Sequence, residues 1–498
     1  MDVDALNSFL LVGALVLIVA VAAVRASVKI GLPSLVLYLL IGVLLGESVL
    51  GIHFDDARLA QALAFAALLI ILAEGGITTR WDDIRPSLPV GITLATVGVA
   101  VTTTVVALLA HFVIGFDWQL SILLGAVFAP TDAAAVFSTL RKVPLKRRVA
   151  GSLETESGLN DAPTVVLVTL IASGDLSELS VWTVAGVMVY QLLVGTVVGF
   201  VVGRLAVALL RRAALPAPGL YPLTIMTVAV LAYVTAALIG ASGFASVYVA
   251  AVVMGNSQLP HRAATKSFAE GLAWLAQIGL FVMLGLLASP SEMPGAIVPA
   301  IVAGVGLLLL ARPLAVLVSC VPFQLPWREQ VFLSWAGLLG AVPVVLAAIV
   351  LAERVDGSSQ LFAIVFVVSV ILTAVQAPTL PWAARTLGVG EAEPRDAEVE
   401  SAPLDRLAAD LVQLRVPPGS KLHGVEVGEL RLPAGVAIGL IVRGDRSFVP
   451  EDSTVLKHGD DVLIVAPRHL REMTEQRLRA VGRHGRLARW ITDDDTPE

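Results

Sequence analysis

The residues best suited to chemistry are Glu156, Ser157, Asn160 and Asp161, in the run Glu154-Thr-Glu-Ser-Gly-Leu-Asn-Asp-Ala-Pro163. Glu156 and Asn160 are four apart, and so are Ser157 and Asp161, so a helix carries all four on one arc. The run opens an apolar stretch that continues through Val165–Ile171. At a rise of about 1.5 Å per residue, Asp161 lies roughly 18 Å in from the basic loop ending at Arg148. A bilayer core is about 30 Å thick, which puts this carboxylate near its middle. An ionisable side chain there is costly and marks an ion or proton path, whereas Ser or Asn would join helices at lower cost. One carboxylate flanked by a hydroxyl and an amide can hold a proton or a monovalent cation, but not both.

Two other segments could build such a site. Phe128-Ala-Pro-Thr131-Asp132 interrupts an apolar stretch, because proline removes a helical hydrogen bond and disfavours helix at the residue before it. A break there frees backbone carbonyls beside Thr131 and Asp132, which is how secondary transporters form cation sites. Trp335-Ala-Gly337-Leu-Leu-Gly340-Ala-Val-Pro343 is a second weak point. It falls seven spans later, as inverted repeats with two crossing broken helices would have it. Glu74 and Arg312 also lie inside apolar stretches, at a depth similar to Glu156. A lone buried charge is expensive and a pair is tolerable, so Glu156 and Arg312 are expected to pair and brace the site. His53, His111 and His261 show no metal-ligand spacing. Neither a Walker loop nor a GxGxxG between strand and helix occurs, which argues against nucleotide-driven pumping; no enzymatic activity, cofactor or nucleic-acid partner is expected.

The elements that must position these residues are membrane helices. Of 498 residues, 57% are hydrophobic and 15% charged, against about a quarter charged in soluble domains. The net charge of −6 is segregated along the chain, and the single Cys320 excludes an intrachain disulfide. Asp2 and Asp4 precede the first apolar stretch, unlike the basic start of a secretory signal, so a retained first helix is expected. About 13 apolar spans follow one another, at 6–24, 32–51, 60–77, 89–113, 120–139, 149–173, 180–203, 221–240, 242–258, 268–288, 295–320, 329–351 and 360–383. Alternate loops carry Arg25 and Lys29; Arg80 and Arg85; Arg141, Lys142, Lys146, Arg147 and Arg148; Arg211 and Arg212; Arg262 and Lys266; and Arg328. The other loops hold only Arg58 and Arg354. The bias places the N-terminus outside and the C-terminus in the cytoplasm of a multi-pass protein of the cell membrane.

Composition changes after Trp382. Residues 1–390 read as the membrane domain and the acidic, proline-bearing 391–409 as a linker. Residues 410–483 read as a small α+β module and 484–498 as a disordered tail. Val412–Val416, Val436–Val442 and Val462–Val465 read as strands, Arg443-Gly-Asp-Arg446 as a turn, and His469–Val481 as a helix. The fold class is therefore an all-α polytopic membrane domain with a small C-terminal α+β domain.

Together these residues resemble the NhaP-type branch of the monovalent cation:proton antiporters. Glu-Ser-Gly-Leu-Asn160-Asp161 is similar to the family's Asn-Asp signature, and Thr131-Asp132, Glu74 and Arg312 fall at its other marked positions. The resemblance implies a homodimer in membrane lipid whose core domain moves against its dimerisation domain. It implies Asp161 as the carboxylate that alternately holds K+ or Na+ and a proton, with Thr131, Asp132, Ser157, Asn160 and Glu74 at or beside the site. The family's Gly-Leu-Arg-Gly-Ala is here Gly337-Leu-Leu339-Gly-Ala341, which removes a positive charge near the crossing. The C-terminal module resembles a TrkA-C domain through Gly-Ser-Lys-Leu-His-Gly424, Arg443-Gly-Asp and His458-Gly-Asp-Asp461. That likeness implies dimeric gating by a small molecule or ion, such as a cyclic dinucleotide or a cation, and tilts the exchanged ion toward K+. The expectation is electroneutral exchange of K+, or of Na+, for H+. The alternative of another class is a ligand-gated channel or membrane sensor, against which stands the absence of a repeated Thr-Val-Gly-Tyr-Gly-type filter.

Overall fold

A computed structural model of the chain describes residues 3–30, 34–46, 50–52, 54, 56–140, 143, 145–174, 180–212, 215–288, 293–390, 398–404, 409–444 and 446–485. His53 and residues 486–498 of the expected tail lie outside them. The chain divides into two compact units, Met1–Gly390 and Glu391–Glu498.

The first unit is helical. In order it comprises α1 (Val3–Ile30), α2 (Ser34–Leu45), α3 (Ala57–Thr78), α4 (Trp81–Ile114), α5 (Trp118–Val127), α6 (Ala133–Thr139) and α7 (Arg147–Ser173). Then come α8 (Val181–Arg212), α9 (Leu220–Leu238), α10 (Gly243–Gly255), α11 (Arg262–Leu287), α12 (Met293–Phe323), α13 (Trp327–Trp335), α14 (Ala341–Ala352) and α15 (Ser358–Leu387). Among the described residues, seven helices are individually long and apolar enough to cross a membrane: α3, α4, α8, α9, α11, α12 and α15. Their ends differ from the sequence reading by several residues. α1 runs on past Arg25 to Ile30, and α8 stays helical to Arg212. Arg211 and Arg212 in its last turn complement the helix dipole.

Two expected spans are not continuous helices. The stretch 120–139 is cut into α5 and α6, with Phe128–Asp132 between them. Pro130 accounts for the cut, since it lacks the N–H that would continue the helix. The stretch 329–351 is cut into α13 and α14 between Ala336 and Gly340. Pro343 does not make that break. It lies in the first turn of α14, where a missing N–H costs nothing. α4 and α12 also contain π turns, at Leu94–Gly98, Ala110–Ile114 and Leu307–Ala311.

Close helix contacts use small residues. Gly195, Gly199 and Gly203 of α8 face the backbone of Ser242, Ser246 and Ala250, so a Cβ at any of the three would crowd that backbone. Where lipid removes the hydrophobic drive between helices, such approaches supply dispersion contact instead.

The second unit is a five-stranded antiparallel sheet, ordered β1-β2-β5-β3-β4, with one helix. Its strands are β1 (Glu398–Leu404), β2 (Ala409–Arg415), β3 (Ala437–Arg443), β4 (Arg446–Phe448) and β5 (Asp460–Pro467), and its helix is α16 (Arg471–His484). The inward positions of β2 and β5, Val412, Leu414, Val462 and Ile464, are fully buried with Leu478 and Val481 of α16. The period-2 alternation along both strands puts every second side chain on that face. The segment read as linker needs correction. β1 lies inside 391–409 and pairs with β2 from Glu398↔Arg415 to Leu404↔Ala409. An acidic, proline-bearing segment can still form an edge strand, because only one side of it must be hydrogen-bonded.

Candidate functional site

α7 supplies the central residues. Glu156, Asn160 and Asp161 are 1%, 0% and 7% exposed, so all three polar groups lie in the helical core. The Asn160 amide donates to the Thr131 hydroxyl at 3.0 Å, tying α7 to the break between α5 and α6. The Ser157 hydroxyl accepts the Ala133 N–H at 3.1 Å, and the Asp132 carboxylate accepts that of Ala135 at 3.2 Å. These bonds cap the otherwise unpaired N-terminus of α6. Asp132 also faces Asp161. Sequence positions Thr131, Asp132, Ser157, Asn160 and Asp161 therefore meet in one place.

The two breaks cross. The Asp132 N–H donates to the Leu338 carbonyl at 2.9 Å, linking one interrupted backbone to the other. Gly340 makes the approach feasible, since a Cβ there would collide with the Asp132 carboxylate. Gly337 does the same for Arg312, whose guanidinium occupies the space a Cβ would need. Carbonyls freed by the second break find donors on α15. Thr373 Oγ1 donates to Leu339 O at 3.2 Å, and Gln376 Nε2 to Trp335 O at 2.9 Å. Neither residue was found by sequence reasoning. A hydroxyl and an amide on an apolar helix were the available signal, but nothing in the sequence shows which carbonyls will lack partners.

Arg312 and Glu156 form a buried ion pair, with Nη1 donating to Oε1 at 2.7 Å. Arg312 Nη2 also donates to Leu333 O at 3.3 Å, at the end of α13. Arg312 directly follows the π turn Leu307–Ala311. Such single-turn bulges recur where a helix must re-aim a side chain. The pair is incompletely satisfied: Glu156 Oε2 and Arg312 Nε are buried without a hydrogen-bond partner. So are Asp161 Oδ1 and Asn160 Oδ1. Two unpartnered acceptor oxygens on adjacent residues, one of them from the Asp161 carboxylate itself, are the kind of ligand a hard monovalent cation takes. They also admit a proton at the carboxylate.

Among the described residues, Glu74 makes none of its contacts with this group. Its helix α3 packs mainly on α10 and α11, and the charged groups facing Glu74 are Glu270 and Lys266 of α11. Similar depth along the bilayer does not fix the direction in which a helix points a residue. Toward the basic end of α7, Arg148 pairs with Glu329 of α13 at 2.6 Å, a link the sequence did not suggest. His111 stacks on Trp118 and bonds the Phe116 carbonyl, and His261 lies against Tyr221, which are packing roles. Among the described residues no group of three or more His, Cys, Asp or Glu is arranged to hold a metal.

In the second unit Asp460 is fully buried. It accepts Arg443 Nε and Nη2 at 2.7 and 2.8 Å and the Lys457 N–H at 2.8 Å. Burial raises the Asp460 carboxyl's pKa, but the Arg443 and Lys457 hydrogen bonds outweigh it and hold the group below the usual carboxylate range.

Residues 14–386 match the family model described as sodium/hydrogen exchanger, transmembrane, and residues 411–479 match the TrkA-C domain. A K(+)/H(+) antiporter NhaP from Alkalimonas amylolytica is 35% identical over 93% of this chain and 82% of its own length. A K(+)/H(+) antiporter NhaP2 from Shewanella oneidensis is 35% identical with the same coverage. A Na(+)/H(+) antiporter NhaS2 from Synechocystis is 26% identical over 73% of this chain and 68% of its own. Among solved structures, the sodium proton antiporter MjNhaP1 from Methanocaldococcus jannaschii superposes with a TM-score of 0.67 at 20% identity, over 79% of this chain and 100% of that one.

Proposed function

The chain belongs to the sodium/hydrogen exchanger family and carries a TrkA-C domain after its membrane part, and from that premise we propose that it exchanges K+ for H+ through Asp161. It is a multi-pass membrane cation:proton antiporter, not an enzyme, and the TrkA-C unit is its regulatory domain. The observation that carries the proposal is the meeting of two broken helices at Asp132 and Leu338, beside α7, where Asp161 and Asn160 each keep a buried oxygen without a donor. Potassium as the cation is supported by the relatives named for K+ that match along nearly the whole chain.

The mechanism is competition for one carboxylate. Asp161 and Asn160 Oδ1, with the carbonyls freed at the Phe128–Asp132 break, coordinate the dehydrated cation. A proton on Asp161 removes the charge that holds it. A charged carboxylate with nothing bound is costly in the bilayer, so the helices switch access only with cation or proton aboard. Asn160 contributes a dipole and no second charge, which makes the exchange one-for-one and electroneutral. Glu156 and Arg312 brace α7 against α12 and α13. The basic-loop bias supports an N-terminus outside and a cytoplasmic C-terminus, where the TrkA-C unit would bind its small molecule or ion. Leu193, Val197, Leu205 and Leu209 form an exposed apolar face on α8 suited to lipid or to a second copy in a homodimer.

The test is proton flux in proteoliposomes that hold an internal pH dye, with K+, Na+ or choline pulsed outside. K+-driven proton movement that disappears in Asp161→Asn, with expression unchanged, is the expected result. A response to Na+ alone would keep the mechanism and replace the ion. Vigorous exchange by Asp161→Asn would overturn both.

A further inference from the structure

Asp161 is one of three positions on a single stripe of α7. Glu154, Gly158 and Asp161 are spaced four and three apart, so they stack along one face. On that face the missing side chain of Gly158 is replaced by Tyr248 of α10: a Cβ at Gly158 would collide with the Tyr248 hydroxyl. Tyr248 is 8% exposed, and the carboxylates facing its hydroxyl are Glu154 on one side and Asp161 on the other. The Thr79 hydroxyl, at the end of α3, donates to the Gly75 carbonyl at 2.7 Å and lies near both Tyr248 and Glu154. Glu154 is half-buried and faces Asp83 of α4, whose side chain is 42% exposed and pairs with Arg80. The polar groups thus run from an exposed carboxylate, through a half-buried one and a buried phenol, to Asp161, whose Oδ1 has no hydrogen-bond partner.

We propose that Glu154 and the Tyr248 hydroxyl relay protons between the Asp83 surface and Asp161, separately from the groups that hold the cation. The proposal rests on the exchange reading above. A phenol suits the task because its oxygen accepts one proton as its own hydrogen passes on. Glu154 gives its proton to the Tyr248 oxygen while the tyrosine proton goes to Asp161. Tyr248 ends uncharged, Glu154 ends as a carboxylate, and water at Asp83 reprotonates it. Cation binding at Asp161 drives the same steps in reverse. The charged groups facing the line are Asp83 and Arg80 at the surface, Glu154 and Asp161 on α7, and Asp132, which faces Asp161. The glycine is required because any side chain at 158 would push the hydroxyl off the stripe.

The experiment uses the full chain in the same proteoliposomes, with K+ pulses from pH 6.5 to 8.5. Tyr248→Phe keeps the ring against Gly158 and removes only the hydroxyl. It should slow exchange at saturating K+ by about tenfold at the alkaline end, where protons are scarce, and far less at the acid end. The K+ concentration for half-maximal rate should stay put. Glu154→Gln should give the same profile, and the double variant should be no slower than either single one, as members of one path are not additive. Glu154 is half-buried and away from the ring packing, so its variant tests the relay even if Tyr248→Phe fails to fold. Wild-type rate and pH profile in both variants, while Asp161→Asn is dead, would overturn the relay and leave the exchange reading standing. Losses that multiply in the double variant, or a pH-independent loss with weakened K+ response, would overturn it too. Exchange that survives Asp161→Asn removes the premise and the relay together.

Discussion

Arg312–Glu156 and Arg443–Asp460 each hold an almost wholly buried carboxylate, and the two pairs are built differently. In the TrkA-C unit, Arg443 meets Asp460 through two parallel hydrogen bonds, and both carboxylate oxygens are used. Arg443 Nη2 goes on to the Val455 carbonyl. In the membrane unit, Arg312 meets Glu156 through one bond, leaving Glu156 Oε2 and Arg312 Nε without partners. A bidentate, fully satisfied pair fixes one geometry. A single-bonded pair with spare donors and acceptors can accept other partners when its surroundings shift, at the cost of stability while it waits. The first is a staple in a regulatory sheet. The second joins α7 to α12 and to the end of α13, beside the break that follows it.

The comparison can be broken most directly at Arg312. Arg312→Ala strands the Glu156 carboxylate in the core and should cost about 4 kcal/mol, read as a large fall in the detergent melting temperature together with lost exchange. Replacing both partners with glutamine should be milder than either single change, since no uncompensated charge is left behind. Asp460→Asn should cost less, about 2 kcal/mol, because Arg443 is one-third exposed and water can take over its solvation. The effect should be confined to unfolding of the C-terminal unit. Acid supplies a gentler version of the same test. The Asp460 carboxyl titrates below its unfolded value, so its contribution is complete above about pH 4 and disappears as pH falls through the folded value. Asp460→Asn should flatten that acid limb of the C-terminal unit's stability curve. The smallest change concerns the donors that hold the crossing. Thr373→Val leaves the Leu339 carbonyl without its side-chain donor and should cost about 1 kcal/mol, measurable as a modest drop in melting temperature. A membrane unit indifferent to Arg312→Ala would show its pair to be as dispensable as a surface one.

Much of the site was legible because its physics is local or prohibitive. Pro130 must interrupt a helix, and the break lies where that rule puts it. A buried Glu156 and a buried Arg312 in an apolar chain had few alternatives to each other. The strands of the C-terminal sheet follow from period-2 alternation at Val412–Val416 and Val462–Val465. Other features were not legible. Pro343 was read as part of a break, but a proline in a first turn is neutral, and the locus is Ala336–Gly340. β1 was read as linker because pairing with β2 depends on a partner strand rather than on its own sequence. Glu74 was placed at or beside the site by resemblance, while the charged groups that face it are Glu270 and Lys266.

By itself, the sequence determined that the chain is a membrane protein with an α+β appendage, where the Pro130 helix breaks, and which carboxylate stands deepest in the apolar run. These follow from the bilayer's intolerance of charge and unpaired backbone, which acts on each segment alone. Only the tertiary structure decided which break meets which, through Asp132 N–H and Leu338 O, and that Tyr248 fills the place of a side chain at Gly158. Those outcomes depend on the rotation and approach of helices distant in the chain. Small residues permit such contacts at many positions, and only packing of all the helices at once selects among them.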